Sequence, residues 1–154
     1  MAKVMTEGML SSNTDEWGTP QYLYDVLDAE FGFEVDVCAS EKNHKCETYF
    51  TKEINGLKQD WNGKVCFMNP PYGKEIGKWT SKAVESAKHG AIVVGLLPNR
   101  SDTKWYADVM KASEIRIIQG RLHFNDGAVG APFPSVIAIW GTPTTPRVVY
   151  LGGE

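Results

Sequence analysis

Residues 91 to 98 read AIVVGLLP. Seven successive residues without a charge, stopped by a proline, make the pattern of a strand buried on both faces, since a strand with one wet face would alternate. Such a strand needs helices on both sides, so its flanks are expected to alternate between helix and strand. Upstream, Ile76, Trp79, Ala83 and Ala87 fall on one side of a helix and Lys74, Lys78 and Lys82 on the other, with Gly90 closing it. Before that helix, Lys64 to Met68 reads as a second strand, stopped by Pro70 and Pro71.

The pattern continues toward both ends. Thr19 is expected to cap, and Pro20 to open, a helix carrying Leu23, Val26, Leu27 and Phe31 and ended by Gly32. Phe33, Val35 and Val37 alternate with Glu34, Asp36 and Cys38 as a strand that runs out at Ala39-Ser40. The polar residues 41–62 read as loop with a short strand at Tyr49-Phe50. Downstream, Ser101 is expected to cap a helix carrying Trp105, Val109 and Met110, and EIRIIQG (114–120) is a strand. GRLHF (120–124) and PSVIAIW (134–140) are expected to pair across a loop rich in Gly and Pro, and the tail is expected to be loose at its end. The predicted architecture is an open, mainly parallel α/β sheet with helices on both faces and an antiparallel last strand.

At 154 residues and 42% hydrophobic content, the chain fits one domain, expected over residues 15–150 behind a flexible segment 1–14, burying roughly 68–70% of its unfolded surface. The run from Ala91 to Leu97 is far below the ~18 apolar residues of a membrane span, and the first residues lack the apolar core of a secretory signal. A cytoplasmic protein is expected, with no membrane association and no obligatory protein partner. Three cysteines in that setting favour thiols over a disulfide framework. The C-x5-H-x-C spacing of Cys38, His44 and Cys46 fits no common structural zinc site, so no metal is expected. Charge is unevenly spread: residues 1–73 carry 6 Lys/Arg against 12 Asp/Glu, whereas residues 74–122 carry 9 against 5. An acidic first half and a basic middle leave room for an anionic partner despite the net charge of −3.

Chemistry is suggested by VCFMNPPYGK, residues 65 to 74. In a parallel sheet, ligands bind outside the carboxyl ends of the strands, where Asn69-Pro70-Pro71-Tyr72 would lie. Neither proline has an N–H, and Pro71 forces Pro70 into an extended conformation. The Pro70 carbonyl is thereby expected to point outward on a rigid frame beside the Asn69 amide oxygen, with the flat face of Tyr72 next to both. Two acceptors and a ring suit a planar base with an exocyclic NH2, such as adenine. Taking both N–H groups helps free the amino lone pair and stabilises the charge that develops during attack on a methyl sulfonium. The amide acceptor pair favours an amino-directed reaction over cytosine C5 chemistry, which needs a nucleophilic cysteine where Cys66 sits inside a strand.

The sequence resembles the small phage-type DNA N6-adenine methyltransferases. The features that carry the likeness are DEWGTP (15–20), FEVDVCAS (33–40), GLKQDW (56–61), NPPYG (69–73), GRLHF (120–124) and APFPS (131–135), in that order. The resemblance implies a Rossmann-like methyltransferase sheet, S-adenosylmethionine as methyl donor, DNA as substrate, and no separate target-recognition domain. It further implies Asn69, Pro70, Pro71 and Tyr72 as catalytic residues, and a cofactor site drawn from Thr19, Pro20, Asp36, Cys38, Ala39, Ser40, Asp60 and Trp61. Asp60 matches an acidic residue near the cofactor's adenine, and Thr19-Pro20 an element near its methionine end. Ala39-Ser40 stands where glycines are usual. Arg100, Lys104, Arg121 and Phe133 are expected to meet the DNA, the three cations at phosphates and Phe133 on an extruded base.

Blander readings stand beside these. NPPY alone could be a strand-ending turn, Asp36 and Asp60 solvated or capping carboxylates, and Phe133 a loop aromatic plugging the core edge. Trp105 reads as core, and His89 and His123 as surface or sheet-edge residues. Two other functions compete: methylation of a protein glutamine, whose carboxamide also fits Asn69 and Pro70, and a non-catalytic nucleic-acid-binding module, suggested by the missing glycines.

Overall fold

The computed structural model describes residues 17–127 and 129–152. The expected flexible segment 1–14 lies outside the described residues, as do Asp15 and Glu16. In chain order the elements are α1 (Gln21–Phe31), β1 (Val35–Ala39), β2 (Tyr49–Thr51), a 3-10 turn (Gly56–Lys58), β3 (Val65–Met68), α2 (Ile76–Ala87), β4 (Ile92–Pro98), α3 (Tyr106–Val109), β5 (Glu114–Ile118), α4 (Phe124–Gly127), β6 (Val129–Gly130), β7 (Ser135–Trp140) and β8 (Arg147–Leu151). Seven strands form one sheet in the order β2-β1-β3-β4-β7-β5-β8. Strands β2, β1, β3 and β4 are mutually parallel. β7 runs antiparallel to both β4 and β5.

β4 is the centre of the molecule, and its two faces meet different layers. Val93 and Leu97 pack with Cys66 and Met68 of β3, Val136 and Ala138 of β7, and Ile76, Trp79 and Ala83 of α2. Val94 and Leu96 pack with Phe67, Ile137 and Ile139, and with Tyr24 and Leu27 of α1 and Leu122 and Phe124 beyond β5. The period of two along each strand thus feeds two cores, which is why AIVVGLLP carries no polar face. No helix among the described residues is long and apolar enough to cross a membrane.

Several local expectations are corrected. Pro20, not Thr19, occupies the cap of α1, and no side chain bonds there; Thr19 is spent elsewhere, as described below. Val26 is 64% exposed instead of sharing the face of Tyr24 and Leu27. Ser101 caps no helix, because α3 is a single turn that starts only at Tyr106. GRLHF is not a strand: β5 takes the place beside β7, Leu122 and Phe124 turn into the second core, and only His123 bridges Gly130. Residues 147–151 of the tail are an edge strand parallel to β5. Arg116 of β5 braces this side, with two hydrogen bonds of 2.8 and 2.7 Å to Glu30 of α1 and one of 2.8 Å to Glu114.

Candidate functional site

Because β1, β2 and β3 are parallel, their carboxyl ends open on one edge of the sheet, and a cavity of about 370 Å³ lies there. Its walls are Cys38 and Ala39 at the end of β1 and Ser40 after it, Phe50 and Thr51 of β2, Gly56 and Leu57 of the 3-10 turn with its cap Asn55, and Trp79 of α2. Trp17 and Gly18 close one side, and Asn69 and Pro71 stand at the end of β3.

The 3-10 turn comes this close because Gly56 has no side chain: a Cβ there would sit 2.0 Å from the Val37 carbonyl and 3.2 Å from the Trp79 ring. Asn55 adopts φ 66° and caps the turn by accepting from Leu57 N at 3.1 Å, a conformation that asparagine tolerates better than most residues. Trp61 does not reach the cavity. Fully buried, it donates to the Gly56 carbonyl at 2.9 Å and stacks on Trp79 at 6.1 Å, backing the wall from inside.

Asp36 is also a scaffold residue. Its carboxylate accepts from Lys45 N at 3.0 Å and Cys38 N at 3.3 Å, tying the loop after β1 to the strand. Burial pushes its carboxyl up to about 6, against the pull of those two N–H groups. Asp60 is exposed and outside the cavity lining, with its carboxylate on Asn62 N at 2.9 Å. The structure therefore brings Cys38, Ala39 and Ser40 to the cavity and leaves Asp36, Asp60 and Trp61 behind or beside it. Asn55, Leu57, Phe50 and Trp79 line it without having been expected to. The Asn55-Gly56 dipeptide, a turn signal within a polar stretch, was the available clue.

At the end of β3, the Asn69 amide nitrogen donates to Thr19 Oγ1 at 2.9 Å and to the Trp17 carbonyl. Its oxygen, Oδ1, is buried without a hydrogen-bond partner among the described residues. Tyr72 is half-buried, and its hydroxyl donates to the Leu96 carbonyl at 2.8 Å. Burial holds that phenol well above its ordinary pKa, so it remains a donor. Phe133 stands edge-on to Tyr72 at 5.5 Å and to Trp17 at 5.2 Å, with Phe124 edge-on to Trp17 at 5.4 Å. On the far side of Tyr72, a smaller cleft of about 190 Å³ is lined by Gly73, Ile76, Pro98, Arg100 and Trp105. Trp105 is thus half-buried at a cleft and not wholly core. Arg100, Lys104 and Arg121 are exposed and, among the described residues, make no ion pair.

A mostly parallel sheet with one reversed strand, and a cavity where the Asn69-Pro70-Pro71-Tyr72 turn meets the strand ends, are consistent with a methyltransferase-type α/β fold. The chain belongs to the DNA N-6-adenine-methyltransferase (Dam) family, a family of adenine-specific DNA methyltransferases whose sequence model matches residues 7–149. It is 35% identical over 123 residues to the DNA N-6-adenine-methyltransferase of Haemophilus phage HP1, covering 77% of this chain and 71% of that protein. It is also 33% identical over 111 residues to the DNA N-6-adenine-methyltransferase of Escherichia phage T1, covering 70% of this chain and 46% of that protein.

Proposed function

We propose that this protein transfers a methyl group from S-adenosylmethionine to the N6 amino group of an adenine in DNA, with the base turned out of the helix to reach Asn69. The observation that carries this reading is the Asn69 amide. Its NH2 is occupied by Trp17 and Thr19, and its Oδ1 is an acceptor with no partner among the described residues. A buried acceptor left unmade costs about 1–3 kcal/mol, and a base amino group supplies the missing donor.

The cavity beside Asn69 suits the donor molecule: Phe50, Leu57 and Trp79 offer apolar surface for a purine, while Asn43, Ser40 and Asn55 offer polar groups. Bound S-adenosylmethionine supplies an electrophilic methyl group. Asn69 Oδ1 and the neighbouring Pro70 carbonyl accept the two N–H groups of the target amine, which raises the availability of its lone pair and favours the charge that grows on nitrogen. Tyr72, pinned by Leu96, presents its ring to the base, and Phe133 is the aromatic neighbour that stacks or gives way. The cleft beyond Tyr72, with Arg100 at its lining, is the side from which a phosphate backbone approaches. Residues 15–150 act as one methyltransferase domain, in the cytoplasm of the cell in which the protein is made.

Incubation of DNA with methyl-labelled cofactor, followed by digestion to nucleosides, tests the reaction. Label in N6-methyl-2′-deoxyadenosine is the expected result; label in 5-methyl-2′-deoxycytidine or in protein would refute the reading. A 2-aminopurine at the target position should brighten on binding, and its silence would argue against extrusion.

A further inference from the structure

Asn69 can function as an acceptor only if its amide is held one way round. Two neighbours from the chain's N-terminal side hold it: the Trp17 carbonyl and Thr19 Oγ1, about fifty residues earlier, both against Asn69 Nδ2. A carbonyl has no hydrogen to give. The group facing Trp17 must therefore be the NH2, and Oδ1 is left toward the opposite side; reversing the amide would set two acceptors face to face. Thr19 is only 3% exposed, so its oxygen is not shared with bulk water.

The holder is itself held. Gly18 N donates to Asn125 Oδ1 at 3.0 Å, and Asn125 N donates to the Gly18 carbonyl at 2.8 Å. This reciprocal pair locks the peptide between Trp17 and Thr19 onto the segment that follows β5. The fit leaves no space at residue 18, where a Cβ would lie 2.5 Å from Asn125 Oδ1 and 2.9 Å from Asn43 Nδ2. Asn125 accepts φ 56° to make both bonds, a conformation in which asparagine is enriched.

We infer that Trp17-Gly18-Thr19, clamped by Asn125, is the positioning element of the active site, and that it is what demands asparagine and not aspartate at residue 69. The inference rests on the proposed role of Asn69 as acceptor. Thr19 is thus a positioning residue acting through Asn69, not a cofactor contact. An ionised aspartate at 69 would press a carboxylate against the Trp17 carbonyl; a protonated one could donate its O–H there and keep its C=O as the acceptor.

Substitutions at Thr19 and Asn69, read by amide exchange and by methylation kinetics, test this. The side-chain amide protons of Asn69, identified in NMR spectra by their loss in Asn69→Ala, should be slow to exchange in the unaltered protein. In Thr19→Val they should shift and exchange faster, with kcat for DNA methylation falling about tenfold, the loss of one hydrogen bond, and the Kd for S-adenosylmethionine unchanged. Thr19→Ser should restore most of the lost kcat. Asn69→Asp should be nearly inactive at about pH 8 and gain activity relative to the unaltered enzyme as the pH is lowered and the carboxyl protonates. Unshifted amide protons in Thr19→Val, or an Asn69→Asp enzyme that follows the unaltered pH profile, overturns the inference. If the amide responds as expected but no adenine is methylated by the unaltered protein, the positioning element stands and the proposed reaction falls.

Discussion

The Tyr72 hydroxyl donates a 2.8 Å hydrogen bond to the carbonyl of Leu96 on β4. It joins the turn that follows β3 to the strand at the centre of the sheet, so the ring is fixed by the core and not by the loop. Tyr72→Phe removes the donor and strands a carbonyl, at a cost of about 1–3 kcal/mol. Urea unfolding should register that loss while single-turnover methylation keeps most of its rate. Tyr72→Ala also loses the ring, worth about 1–3 kcal/mol of stacking on a base, and should be severely impaired in turnover. Equal activity of the two variants would remove Tyr72 from the base site.

Asn69→Ala deletes the unpartnered acceptor. Loss of a preorganised group facing developing charge costs on the order of 100- to 1000-fold in rate, so methyl transfer should be close to abolished. Calorimetric affinity for S-adenosylmethionine should change little. Near-normal turnover by this variant would refute the mechanism.

Gly56 and Asp60 lie four residues apart and should behave oppositely. A methyl group on Gly56 would meet the Val37 carbonyl at 2.0 Å, forcing the 3-10 turn off β1 and deforming the wall that carries Asn55 and Leu57. Gly56→Ala is expected to weaken S-adenosylmethionine binding by at least about tenfold, or about 1.4 kcal/mol. Asp60→Ala should leave calorimetric affinity unchanged, since Asp60 is exposed and outside the cavity lining. A large loss with Asp60→Ala would restore it as a cofactor ligand.

Asp36 should make stability depend on pH. Burial pushes its folded pKa up to about 6, whereas an unfolded aspartate titrates at about 3.9. Between those values the folded chain holds a proton that the unfolded chain has released, so the contribution is complete below about pH 4 and is lost as pH rises through about 6. The change is on the order of 3 kcal/mol, two pKa units at ~1.4 kcal/mol each. Denaturant midpoints of the unaltered protein should therefore fall relative to Asp36→Asn across this window. A relative rise would mean that the carboxylate is stabilised, not burdened, by its surroundings.

Two of the helix-face lysines are locally engaged: Lys78 pairs with Glu75 at 2.8 Å, and Lys82 lies 5.3 Å over the Trp61 ring. Arg100, Lys104 and Arg121 are exposed at the edge where DNA is expected. Each lost phosphate contact should reduce the slope of log K against log salt by about 0.9. Substituting any of these three with alanine should lower that slope, and Lys82→Ala should not. The opposite ranking would put DNA across the face of α2.

The two-sided burial of β4 was legible because a strand buried on both faces must be apolar at every position, a condition that shows in seven consecutive residues stopped by a proline. The Asn-Pro-Pro-Tyr turn was legible for a similarly local reason: two residues without an N–H end a strand wherever they occur. Much of the cavity lining was not, since which side of a loop faces a pocket depends on how it packs. Asp60 and Asn55 stand in one polar stretch from which the sequence singled out only Asp60, whereas the approach of Gly56 to Val37 brings Asn55 to the cavity and leaves Asp60 exposed. The edge strand β8 was hidden because its exposed Val148 and Tyr150 alternate as in any surface strand, and its place beside β5 is vacant only once β7 has taken the other side. The orientation of the Asn69 amide lies beyond local sequence altogether. Trp17 and Thr19 bond it across about fifty residues, and Gly18 between them is tied to Asn125 across 107, through hydrogen bonds that exist only after the two cores have closed.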